Sequence, residues 1–178
     1  ITGGGVIIVG GAAVPDEALL AARESLMYMT SARPEFRDIL KRNEARISLF
    51  GPEGYASALP EYPDSNEPGG FAMGMTDVSM TANANWLCYP GNWDIGGDPV
   101  IHEMVHTINH VVFEEINETY FYERIHELAL DAIDRGVFVV GEQHIEDGSS
   151  QDMSHIVGEY WAISVEGYIM NRPGFKKS

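Results

Sequence analysis

Cysteine is almost missing from this chain. Only Cys88 carries a thiol among 178 residues. An internal disulfide is therefore excluded, and with it the disulfide argument for secretion. No activating motif surrounds Cys88, so it is not read as a nucleophile. Basic side chains are scarce too. Eleven Lys and Arg stand against 27 Asp and Glu, a net charge of −16. Such a surplus disfavours nucleic acid and anionic membrane surfaces as partners. It suits solubility, a saline habitat or a cationic substrate without choosing among them. No apolar run reaches about 18 residues, so no membrane insertion is expected. The glycines at positions 3–5 and 10–11 are not followed by GxGxxG or GK[ST]. They read as punctuation rather than a phosphate loop. Tandem repeats are also missing. The chain starts at Ile1 rather than Met, which suggests a processed or trimmed product whose targeting signal would already be gone; separately, an extracellular, secreted location is expected. Asn117-Glu118-Thr119 is a glycosylation sequon.

Hydrophobic residues make up 44% of the chain, enough for a core. The length suits one domain over 1–178, with a sheet-containing half at 1–98 and a helical half at 99–178. Val6–Val9 is a β-branched run between glycines and reads as a buried strand. Asp16 to Ala32 is helical, with Ala18, Leu19, Ala22, Leu26 and Met29 as its apolar stripe. Pro34 precedes a short helix over Glu35–Arg42. Ala45–Phe50 alternates apolar and polar and predicts a second strand. Gly51–Gly70 lacks periodicity and reads as a surface loop, a candidate cleft rim. Phe71–Leu87 looks like strand material with a turn near Thr76-Asp77, where Gly74 favours an edge or bulge. An edge strand there could hold an extended peptide by backbone pairing. Trp86 and Trp93 read as packing residues. Glu118 to Arg135 is a long helix stopped by Gly136, and His126 on it reads as a satisfied histidine. Val137–Val140 is a short strand or buried loop, and Glu142–Asp152 a mobile loop. Ser154 to Met170 is the final helix.

The informative stretch is His102-Glu103-Met104-Val105-His106. Asp98 and Pro99 precede it as N-cap and first-turn residue of a helix. Val100, Ile101, Met104, Val105 and Ile108 give that helix a buried face. Residues four apart share a helical face, so His102 and His106 can aim two imidazole nitrogens at one point. Zn2+ accepts such nitrogens. Glu103 is rotated by roughly 100° from His102, where it can reach a metal-held water without being a ligand. This HExxH spacing predicts a hydrolytic zinc centre with Glu103 as general base. The bland alternative is an amphipathic helix with two satisfied histidines. It would leave two imidazoles and a carboxylate in an apolar helix without partners, which is costly.

A catalytic zinc usually takes three protein ligands and keeps one open position. The HxxGxxH extension fails, because its last position is Val112. His110 is too far along a straight helix to join, since i, i+4 and i+8 span about 12 Å. It reads as a core residue or as one standing behind a ligand. A carboxylate from a later helix remains. Glu159 is the leading candidate, set between Val157 and Trp161 where it needs a partner. Glu166, two turns on, is the runner-up and could instead orient a histidine. His155 and Asp131 are the other options.

His102 to His106, followed by Glu159-Tyr160-Trp161-Ala162, resembles the glutamate-type zincins, or gluzincins. It is closest in arrangement to their compact single-domain branch, which includes the anthrax lethal factor catalytic domain and the Pro-Pro endopeptidases. The likeness covers roughly residues 70–172, and its specific part is the pentad and the Glu-Tyr-Trp-Ala segment. It implies an α+β, zincin-like fold: a small mixed β-sheet, an active-site helix and a mostly helical C-terminal half. It also implies His102, His106 and Glu159 on zinc and Glu103 as base. Compact members place an oxyanion-steadying tyrosine seven residues before the ligand glutamate. That position is Asp152 here, a departure. His155 could take the role; Tyr160 and Tyr168 are alternatives. The implied activity is a zinc-dependent endopeptidase acting on a peptide or protein substrate. A non-catalytic zinc-stabilised binding module and a zinc hydrolase of a non-peptide amide are the competing expectations. Oligomeric state is not legible.

Overall fold

The computed structural model describes residues 1–51, 57, 59–60, 78–87, 97–140 and 153–171. Most of Gly51–Gly70, the segment 71–77 with Gly74 and the turn near Thr76-Asp77, Cys88, Trp93, Asp152, the Glu142–Asp152 loop and the Trp86 side chain lie outside the described residues.

The fold is α+β. Four strands form one mixed sheet in chain order: β1 (Thr2–Gly3), β2 (Val6–Gly10), β3 (Arg46–Phe50) and β4 (Ser79–Asn83). β1 pairs antiparallel with β2, while β2–β3 and β3–β4 are parallel. The parallel β2–β3 pair needs a crossover. It is supplied by α1 (Asp16–Met29) and α2 (Glu35–Arg42). Register puts Ile8, Ile47 and Met80 in one row and Gly10, Leu49 and Ala82 in the next. Alternate residues share a sheet face, and with Val6 these side chains form the buried core face.

Two strand expectations are corrected. Val6–Val9 is buried on one side only, because Ile7 and Val9 are 52% and 41% exposed. Its outer neighbour β1 is two residues long and carries little that could cover them. Ala45–Phe50, read as half polar, is instead buried from Ile47 through Phe50. As an inner strand it has its polar Ser48 covered as well. The Val137–Val140 run forms no strand, and Val137 and Val139 are exposed.

The C-terminal half is helical in its described residues: α3 (Pro99–Thr107), α4 (Thr119–Asp134) and α5 (Met153–Met170). After Thr107 the α3 chain continues with π winding over Ile108–Phe113. Wider winding loosens the regular backbone pairing, and the Tyr122 hydroxyl donates to the Asn109 carbonyl at 2.7 Å. α1 packs on β1, β2 and α3; α3 packs on β4 and α5. The sheet is thus backed by the first helix and the motif helix. β4 is the terminal strand of the described sheet and lies beside α3.

α3 starts where its residues direct. The Asp98 carboxylate accepts from the Val100 and Ile101 amides at 3.0 and 3.3 Å, and Pro99 occupies the first turn. Asp98 is fully buried. Its other oxygen accepts from Ser25 Oγ on α1 at 2.6 Å. Asp98→Ala is expected to destabilise the fold by about 1–3 kcal/mol, through the lost cap and the lost α1 bond. A shift of the urea midpoint at constant slope measures it. An unchanged midpoint would mean that this contact contributes nothing.

Candidate metal centre

The helical pitch sets the first layer of the site. Relative to His102, Glu103 and His106 sit about 100° and 40° around the helix. All three are half-buried, while Val100, Ile101, Met104 and Val105 fill the core side. α5 supplies the second layer. Ile156, Ala162 and Ile169 bury one side of it. Glu159 and Glu166 are seven residues apart, about 20° from eclipsed after two turns, so both face α3.

Three side chains converge. Glu159 Oε2 lies 3.3 Å from His102 Nε2, and its Oε1 lies 3.2 Å from His106 Nε2. The two Nε2 atoms are 3.3 Å apart. Side-chain exposure is 17% for His102, 24% for His106 and 19% for Glu159, so the cluster is sheltered but reachable. It is the one group of His, Cys, Asp or Glu side chains among the described residues that could hold a metal ion. Glu159 is therefore the carboxylate that joins the two histidines.

The other candidates fall elsewhere. Glu166 does not join the triad. It touches the opposite edge of His102, with Oε2 3.4 Å from Nδ1. Asp131 is exposed and paired with Arg135 at 2.9 Å. His155 is half-buried on α5, one turn before Glu159, and stands outside the close donor group. Tyr160 packs edge-on against Phe138, and Tyr168 is exposed. His110 is neither core nor behind a ligand. It is exposed and faces Glu114 at 3.8 Å, within the π-wound turn. His126 is exposed rather than buried and satisfied.

The cluster is electrostatically polarised. Burial lowers the His102 pKa, but the bonds to Glu159 and Glu166 and the charge of Glu103 outweigh it. The ring is lifted from 6.5 to about 10. Burial raises the Glu159 pKa, yet His102 and His106 outweigh it and hold the carboxyl well below its ordinary 4.5. A raised histidine stabilises the fold fully below its unfolded pKa and loses that effect as pH climbs through the folded value. A lowered carboxyl stabilises above its unfolded value and loses that effect in acid. Chelator-stripped protein should therefore gain most from this pair between pH 4.5 and 6.5. The melting-temperature gap between wild type and Glu159→Gln should shrink as pH rises from 6.5 towards 10. A gap that widens over that range would contradict the ion pair.

Sequence reasoning offered Glu166 as an orienter of a histidine but missed the residues around it. Gly97 and Ser25 carry no local signal of their role, and Asp98 was legible only as a cap. No family model, curated protein or solved structure matches this chain.

Proposed function

We propose that this chain is a zinc-dependent endopeptidase, with His102, His106 and Glu159 as metal ligands and Glu103 as general base. One observation carries the reading. The two imidazole Nε2 atoms lie 3.3 Å apart, with one Glu159 oxygen 3.3 Å from the first and the other oxygen 3.2 Å from the second. A tetrahedron with bonds of 2.0–2.1 Å to a central zinc has edges of about 3.3 Å. Plain N–H···O bonds centre instead near 2.9–3.0 Å. Two imidazoles and one carboxylate are also the donor set of an open catalytic site, whereas structural sites are closed by four protein ligands.

Bound zinc would polarise a scissile carbonyl and acidify a water beside it. Glu103 would take that water's proton and hand it to the leaving amine. Glu159 and the histidines keep the centre rigid.

The test is a peptide library incubated with zinc-loaded protein, with and without a chelator. Cleavage that stops on chelation and returns with zinc is expected. Tight zinc binding without cleavage would point to the non-catalytic module. Turnover of non-peptide amides alone would point to the other hydrolase.

A further inference from the structure

Glu166 lies outside the donor triad, yet both of its oxygens are engaged. Oε2 meets His102 Nδ1 at 3.4 Å, and Oε1 accepts the Asp98 backbone N–H. The place it occupies is shaped for it. An ideal Cβ at Gly97 would lie 2.5 Å from Glu166 Oε1, closer than any side chain tolerates. Gly97 is not among the glycines with positive φ, so what a side chain here would meet is the Glu166 carboxylate end, which would have to move aside. Asp98 holds its amide in place through buried bonds to Ser25 and to the start of α3. A neutral imidazole has one donor and one acceptor. In the neutral form that can bind a metal, Nδ1–H facing Glu166 would leave the Nε2 lone pair on the side of Glu159 and His106. His106 has a different backing, since Gly158 lies behind its ring and a Cβ there would be 3.7 Å from Nδ1.

We propose that Gly97 and the Asp98 amide form a built seat for Glu166, which acts as a positioning residue fixing the tautomer and orientation of His102 and so setting metal affinity. The inference rests on the metal-centre reading and deepens it. Carboxylates behind a ligand histidine are worth 10–100-fold in metal affinity. Gly97→Ala displaces the carboxylate without altering any ligand.

The test measures zinc affinity by competition with a chromophoric chelator, and the visible absorption of the cobalt-loaded protein. Gly97→Ala and Glu166→Ala should each bind zinc about 10–100-fold more weakly and change the cobalt spectrum. The double variant should be no worse than Glu166→Ala, because both act through one contact. A merely structural role for Gly97 would make the losses add. Gly167→Ala, whose Cβ meets nothing within 4 Å, should bind as wild type. Should Gly97→Ala fail to fold, the near-isosteric Glu166→Gln serves. Its amide cannot accept both N–H groups, so the same weakening is expected. Wild-type affinity in the single variants, or additive losses in the double, would overturn the seat. A wild-type protein that binds no zinc would overturn the metal reading itself, and the seat's role with it.

Discussion

Glu103→Gln should hold zinc as the wild type does and turn over substrate roughly 10²–10⁴-fold more slowly. The substitution keeps shape and volume but removes the group that can accept a proton. Affinity should survive because the close donor group is His102, His106 and Glu159, without Glu103. Glu103 does lend negative charge to His102, so a small change in metal affinity is expected and a large one is not. Metal content and kcat measured on the same preparation separate the two effects. A fully loaded Glu103→Gln with unchanged kcat would remove this residue from the chemistry.

Glu159→Ala should lose the ion. The effect should exceed the 10–100-fold that partners behind a ligand contribute, because an anionic donor itself disappears. It would also leave two imidazole nitrogens 3.3 Å apart with no carboxylate bridging them. Equilibrium dialysis against zinc reads the loss directly. Asp131→Ala is the matched control, since that carboxylate is exposed and paired only along its own helix. Retained affinity in Glu159→Ala would hand the third position to another donor, with Glu166 and His155 the nearest in sequence.

The parts of this site legible in the sequence are the ones that depend on local geometry. His102 and His106 fall on one face because of the helical pitch. Glu159 was legible because a carboxylate inside an apolar helical stripe needs a partner. The role of Glu166 was not decidable. Two turns separate it from Glu159, and which of the two meets Nε2 of His102 and which meets Nδ1 depends on how far α5 slides along α3. No local pattern carries that distance. The same limit explains the strands. Val6–Val9 and Ala45–Phe50 were recognisable as strands, but their covered faces depend on position in the sheet. One lies next to a two-residue edge and the other lies inside. His110 was expected to turn inward on a continued α3. π winding, for which the sequence gives no signal, begins two residues after His106.

Both carboxylates that grip His102 belong to one rigid helix near the C-terminal end of the described chain. The motif pentad can form its own helical turn early, but apart from Glu103 its histidines gain carboxylate partners only when α5 docks. Metal capture through the proposed triad would therefore need the non-local pairing of α3 with α5. Any ligand that binds only the docked form stabilises that form with the logarithm of its concentration above its Kd. Loading and α5 docking would then be thermodynamically linked, so any change that loosens the α3–α5 contact would weaken ion binding as well.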